Sequence, residues 1–322
     1  MPLLEVDGLS VRFETDDGVV QAVDDLTFSL DQREVLGIVG ESGCGKSVSL
    51  MSLVRLLPPS AKIDGRARFD GLDLLTASGR QIRRIRGREV AFVFQEPMTS
   101  LNPAIRIGRQ IAEVVEYHLS LSHGAANRRA LELLELVRIP APERRMREYP
   151  HQLSGGMRQR VMIAMALACD PTILVADEPT TALDVTIQAG ILDLMRDIRE
   201  RLGASIILIT HNLGVVADIA DRVVVMYAGR KVEEAPVHDL FAEPQHPYTI
   251  GLLGAIPRTG AADVDGRLRE IPGRVPSLAG PWQACAFADR CPRADARTHS
   301  EVPPLREVAP SHLVACFHPG AE

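Results

Sequence analysis

Residues 34–47 read Glu-Val-Leu-Gly-Ile-Val-Gly-Glu-Ser-Gly-Cys-Gly-Lys-Ser. The first six, EVLGIV, form a short apolar run that suits a buried strand. The last eight, from Gly40 to Ser47, fit G-x-x-x-x-G-K-[ST], and the stretch Ser47–Leu57 that follows is helix-like and stops at Pro58-Pro59. Strand, glycine-rich turn and helix in that order make a cradle for phosphate. Glycines let backbone N–H groups close around phosphate oxygens, and the helix N-terminus adds partial positive charge. On this reading Gly40, Glu41, Ser42, Gly43, Cys44 and Gly45 surround the phosphates. Lys46 reaches the β- and γ-phosphates, and Ser47 offers its hydroxyl to Mg²⁺. Of 36 basic residues only Lys46, Lys62 and Lys231 are lysine, so one of the few sits where a compact ammonium suits a phosphate.

Working outward, residues 173–178, Ile-Leu-Val-Ala-Asp-Glu, are an apolar strand that ends in two acids. A strand end is where an α/β fold presents its site. Asp177 is placed there to hold the Mg²⁺ shell and Glu178 to polarise an attacking water. Other strands are expected at 90–94, Thr172–Ala176, Ser205–Thr210 and Arg222–Tyr227. Helices are expected at 105–119, 127–138, 155–168 and Val185–Leu202. Alternation of this kind predicts an α/β core with a parallel sheet. Residues 257–322 hold many prolines and three of the five cysteines, and their periodicity fades, which predicts a loop-rich tail.

Composition narrows the function classes. The chain has 322 residues and is 46% apolar, which excludes wholesale disorder, and its 4% aromatic content predicts an aliphatic core. A net charge of −6 argues against a strongly basic nucleic-acid binder. Five cysteines, an odd count in a long chain, do not read as a secreted disulfide scaffold. No signal peptide is visible at the N-terminus, and no apolar run approaches the length of a membrane span.

Residues Leu153-Ser154-Gly155-Gly156-Met157 open a helix whose N-terminal amides suit an anion. With Gln95, His211 and Thr181-Ala182-Leu183-Asp184, they resemble the signature, Q-loop, H-loop and D-loop of the ATP-binding subunits of ABC transporters, in the same order as in that family. The resemblance implies an α/β P-loop NTPase, with a RecA-like core, an antiparallel β subdomain, an inserted α-helical subdomain at about 96–154 and a loop-rich C-terminal tail. Residues 1–250 would form the ATPase domain and 251–322 the tail domain. Two such subunits sandwich two ATPs, so Ser154, Gly155, Gly156 and Asp184 would meet ATP held by the partner. The implied catalytic residues are Glu178, His211, Lys46 and Gln95, and the implied Mg²⁺ set is Ser47, Gln95 and Asp177. Phe13 is the candidate to stack on adenine, at a spacing lengthened by an apparent insertion at Thr15–Gly18.

A narrower resemblance lies in Gln95–Pro103, His246-Pro247-Tyr248-Thr249, Leu252-Leu253, Ile271-Pro272-Gly273, Val275-Pro276-Ser277-Leu278, Cys285-Ala286-Phe287 and Arg290-Cys291-Pro292. These stretches look like the branch that serves oligopeptides and dipeptides. An importer subunit is implied, coupling Mg-ATP hydrolysis to peptide uptake from the cytoplasmic face of the bacterial inner membrane. Its implied partners are a second ABC ATPase, usually a paralogue, two transmembrane permeases and, indirectly, an extracytoplasmic peptide-binding protein, with no nucleic acid. Similar subunits handle nickel, glutathione and other small solutes, so the cargo stays open. A soluble, non-transport ABC ATPase is the other alternative, but the coiled-coil insertions, zinc modules and tandem units usual there are absent. Members of the branch commonly carry four tail cysteines, which can hold an iron–sulfur cluster. Cys285, Cys291 and Cys316 match three of these, Thr298 stands in the other slot, and His299, His312 and His318 lie nearby as substitutes.

Overall fold

The computed structural model describes residues 2–16, 18–96, 100–180, 184–255, 271–276 and 280–320. Pro97, Met98, Thr99, Thr181, Ala182, Leu183, Ser277 and Leu278, quoted above for their motifs, lie outside the described residues. The chain divides into two compact units. The first comprises Met1–Asp31, Val35–Thr76 and Ile209–Glu322; the second comprises Gln32–Glu34 and Ala77–Leu208.

The first unit opens with an antiparallel sheet of β1 (Leu4–Thr15), β2 (Gly18–Leu30), β4 (Ala61–Phe69) and β5 (Leu72–Asp73), in the order β2-β1-β4-β5. Thr15 and Gly18, the ends of the apparent insertion, face each other across β1 and β2, and the Thr15 hydroxyl donates to the Gly18 carbonyl at 2.8 Å; Asp17 lies outside the described residues. The unit also carries β3 (Val35–Val39), β9 (Arg222–Tyr227) and β10 (Arg230–Pro236), with β3 and β9 parallel and β9 and β10 antiparallel. All five residues of β3 are buried, as expected for a strand covered on both faces. Helix α1 (Lys46–Leu53) follows the glycine loop. It ends four residues before the expected Leu57, because Arg55 turns to φ 53° and its guanidinium donates to the carbonyls of Leu74 and Leu75. Three further helices are α8 (Leu213–Ile219), α9 (Val237–Ala242) and α10 (Pro247–Gly254).

The tail is more regular than its sequence suggests. Strands β11 (Arg306–Ala309) and β12 (His312–Val314) pair with each other, and β12 pairs antiparallel with β10, extending the order to β11-β12-β10-β9-β3. Aromatic residues help dock it. Tyr227, Tyr248 and Phe287 lie with ring centres 4.7–5.5 Å apart, and Trp282 Nε1 donates to the Ala228 carbonyl at 2.9 Å. Tyr227 and Tyr248 are among the largest fully buried side chains, which amends the expectation of a purely aliphatic core.

The second unit holds β6 (Val90–Val93), β7 (Ile173–Asp177) and most of β8 (Ser205–Thr210), in the order β8-β7-β6, with β6 and β7 parallel. Its helices are α2 (Gly79–Ile85), α3 (Ile107–Leu119), α4 (His123–Leu136), α5 (Pro142–Arg145), α6 (Gly155–Ala166) and α7 (Val185–Leu202). Helices α3, α4 and α6 pack on one another. Helix α4 begins four residues before the expected start, where the Ser122 hydroxyl caps it by accepting from the Ala125 N–H. Helix α7 has the expected bounds, capped by Asp184 at one end and by Gly203 at φ 68° at the other.

Candidate active site

In the first unit the glycine loop runs from the end of β3 into α1. Gly40 has φ 153°, and a Cβ there would lie 2.2 Å from the Met226 carbonyl oxygen. Gly45 has φ 94°, and a Cβ there would lie 2.2 Å from the Ala22 carbonyl oxygen. Both positions therefore require glycine on backbone conformation and on space. Gly45 is also the N-cap of α1 and brings no capping side chain, which leaves the first amides of the helix to an incoming anion.

Lys46 is 6% exposed, and its ammonium lies across the loop. Nζ donates to the carbonyls of Gly40 at 2.7 Å and Glu41 at 3.0 Å and to Cys44 Sγ at 3.7 Å. Burial pushes the Cys44 thiol up from its ordinary pKa, against the pull of Lys46. Ser42 and Gly43 are exposed and Ser47 is half-buried. Phe13 lies on β1 opposite Val20 and Ala61, and it is half-buried. His211 follows β8 and is exposed, while Asn212 beside it caps α8 through the Gly214 N–H at 3.0 Å.

In the second unit Asp177 closes β7 and Glu178 follows it; both are buried. Glu178 has φ 47°, a left-handed conformation that costs a non-glycine residue energy and gathers at working sites. Gln95 Nε2 donates to Glu178 Oε2 at 3.0 Å, so the Q-loop amide and the candidate base are brought together. Ser154 caps α6 by accepting from the Met157 N–H at 3.4 Å, and both Ser154 and Gly155 are exposed. Gly155 meets open space, whereas a Cβ on Gly156 would lie 2.8 Å from Ile187 Cγ2 on α7. Gly156 therefore serves close helix packing, and Gly155 keeps the helix end open. Asp184 accepts from the Ile187 N–H at 2.9 Å, so its carboxylate also has a structural duty as a cap.

The Mg²⁺ that the family implies takes hard oxygen donors. The Ser47 hydroxyl in the first unit is a donor of that kind, and so in the second are the Asp177 carboxylate and the Gln95 amide oxygen, opposite the nitrogen that Glu178 engages. The tail does not fit a four-thiolate cluster. Thr298 is 3% exposed; its hydroxyl donates to the Asp295 carbonyl at 2.7 Å and accepts from the Asp295 N–H at 2.8 Å. That hydroxyl is committed to a turn, and clusters of this type take four thiolates. Cys285, Cys291 and Cys316 are free thiols, raised by burial, Cys316 to about 11. His312 is engaged by Glu233 and His318 by Asp295. Among the described residues no group of three or more His, Cys, Asp or Glu could hold a metal ion.

Two residues that sequence reasoning gave no role belong to the loop's surroundings. Tyr248 Oη accepts the Glu41 N–H at 2.9 Å, and Arg290 pairs with the Glu41 carboxylate at 2.7 Å. Both stood in quoted stretches, but no local pattern ties either to a loop more than 200 positions earlier.

Comparison with known proteins agrees with this architecture. The family described as ABC transporter matches residues 23–181, and the oligopeptide/dipeptide transporter C-terminal region matches residues 232–297. The "Probable peptide ABC transporter ATP-binding protein y4tR" of Sinorhizobium fredii is 53% identical over 319 residues, covering 98% of this chain and 94% of that protein. The oligopeptide transport ATP-binding protein OppD of Bacillus subtilis is 50% identical over 323 residues, covering 99% and 90%. Among solved structures, the ATP-binding cassette MJ0796, a dimer bound to ADP and Pi, has a TM-score of 0.66 at 27% identity, covering 73% of this chain and 98% of that one. The chain belongs to the ABC transporter family, as an ATP-binding protein with the C-terminal region of the oligopeptide/dipeptide transporters.

Proposed function

We propose that this chain binds and hydrolyses Mg-ATP and couples that reaction to uptake of di- and oligopeptides through separate membrane-embedded permeases. The observation that carries the reading is the glycine loop: buried Lys46 over its carbonyls, two glycines that admit no Cβ, and an α1 N-terminus with no capping side chain. In this reading the loop amides and Lys46 hold the phosphates, and Phe13 stacks on the base. Mg²⁺, when bound to Ser47, Asp177 and Gln95, supplies charge neutralisation at the phosphates. Glu178 takes a proton from the attacking water, with Gln95 fixing its carboxylate through the 3.0 Å hydrogen bond. His211 contacts the γ-phosphate. The exposed end of α6, at Ser154 and Gly155, serves ATP held by a second, paralogous subunit, and Asp184 stands at the same junction.

Residues 96–154, as the helical subdomain of a 1–250 ATPase domain, would contact the permeases, and 251–322 would form the docked tail. Among the described residues no helix is long and apolar enough to cross a membrane. The reading therefore assigns the crossing to two permease chains, with this chain at their cytoplasmic face and a peptide-binding protein on the other side. Affinity purification from native membranes tests it. Two permeases and a second ATPase should copurify, and peptide-loaded binding protein should raise ATP turnover of the reconstituted assembly. Recovery of the chain without membrane proteins, or turnover that peptide does not change, would contradict it.

A further inference from the structure

Glu41 places a carboxylate inside a loop built to hold anions. Unopposed, that charge would repel a polyphosphate. Arg290, 249 positions later in the tail, opposes it. Nη1 donates to Glu41 Oε2 at 2.7 Å and Nη2 donates to Oε1 at 3.1 Å, a two-pronged pair of the strong, orientation-fixing kind. Arg290 is 7% exposed, and the tail holds it in place: Nε donates to the Pro272 carbonyl at 2.8 Å and Nη2 to the Ile271 carbonyl at 3.2 Å. The guanidinium carbon lies 5.7 Å from the Tyr227 ring centre. The Glu41 N–H is taken by Tyr248, its carbonyl accepts from Lys46, and its side chain is taken by Arg290. Every polar group of this loop residue is therefore engaged, two of them from outside the loop.

We propose that Arg290 is a positioning residue for the nucleotide: it neutralises the Glu41 carboxylate and pins it against the tail, so that the tail sets the charge and shape of the phosphate loop. The inference rests on the reading that residues 40–47 hold nucleotide phosphates. By linkage, nucleotide binding also tightens the docking of the tail.

Equilibrium binding of Mg-ADP to the purified full-length chain tests it, with emission of Trp282, the one tryptophan, reporting a docked tail. Arg290→Gln, which keeps hydrogen-bonding ability and loses charge, should weaken Mg-ADP binding about ten-fold. Arg290→Lys should stay within about three-fold of wild type, and adding Glu41→Gln to Arg290→Gln should restore binding to a similar level. A purely structural role for Arg290 would give no such rescue on removing its partner. Unchanged affinity in Arg290→Gln, or a double variant no better than that single one, overturns the inference. If Trp282 emission shows Arg290→Gln undocked, Arg290→Lys decides: with the tail docked, binding within about three-fold of wild type supports the proposal, and a ten-fold loss overturns it. Absence of Mg-ADP binding by wild type, matching Lys46→Ala, would instead overturn the reading of the loop.

Discussion

Glu233→Ala should loosen the tail from the rest of the first unit. Glu233 is fully buried on β10, and three donors converge on it. Oε1 accepts the Gln245 N–H at 2.7 Å and His312 Nε2 at 2.7 Å, while Oε2 accepts the His246 N–H at 2.9 Å. His312 belongs to β12, so this carboxylate ties a tail strand to the edge of β10. Alanine leaves all three donors without their acceptor. A stranded buried donor costs about 1–3 kcal/mol, and breaking a buried charged cluster costs about 3–5 kcal/mol in total. A loss of about 4 kcal/mol is large against the 5–15 kcal/mol that typically separates folded from unfolded chains. Glu233→Gln keeps an acceptor and the shape, and should lose about half as much. The assay is urea unfolding followed by Trp282 emission, which reports the contact with Ala228, beside far-ultraviolet circular dichroism, which reports the helices. In Glu233→Ala the tryptophan transition should move to lower urea and separate from the dichroism transition. A tryptophan midpoint within about 1 kcal/mol of wild type would refute the reasoning.

Acid should weaken the same region. His246 is fully buried, accepts the Tyr248 N–H at 3.0 Å on Nδ1, and is pushed down to about 4 by burial, against the upward pull of Glu233. Its folded value lies below the unfolded value near 6.5, so the stabilisation is present above about pH 6.5 and is lost as pH falls towards 4. Between about pH 7.5 and pH 5 the loss should be about 2 kcal/mol, and it should vanish in His246→Gln; an equal slope in both proteins would reassign it. Gly45→Ala should abolish Mg-ADP binding and cost at least about 2 kcal/mol, because a new Cβ would lie 2.2 Å from the Ala22 carbonyl oxygen. Gly43→Ala, with φ 80° and nothing within 4 Å, should cost only about 1 kcal/mol; equal effects at the two glycines would show that close approach is not what demands glycine at position 45. Protein purified without oxygen should carry no iron and show no broad visible band, whereas stoichiometric iron would mean that Thr298 is bypassed.

The parts legible in the sequence are those whose causes are local. The strand at 205–210, the helix at 185–202 and the acids at the end of β7 follow from periodicity and punctuation. The premature end of α1 does not, because Arg55 is drawn out of helical geometry by the carbonyls of residues 74 and 75. Nor does β11, whose four residues are all exposed and carry no alternation; it is a strand only because β12, itself paired with β10, lies beside it. In the site, the loop could be read because its glycines and lysine are contiguous. Gln95 against Glu178 could be named as two motifs but not as a hydrogen bond, and the grip of Arg290 on Glu41 left no mark in either neighbourhood.

Glu178→Gln in the assembled transporter tests most directly the claim that this chain is the ATPase that drives transport. The carboxamide keeps the shape of the side chain and an oxygen for Gln95 Nε2, so the fold and the 3.0 Å contact should survive. Loss of the proton acceptor should lower ATP turnover by about 10²–10⁴-fold and stop peptide uptake, with Mg-ATP affinity unchanged. Turnover within about ten-fold of wild type, or uptake that continues, would contradict it.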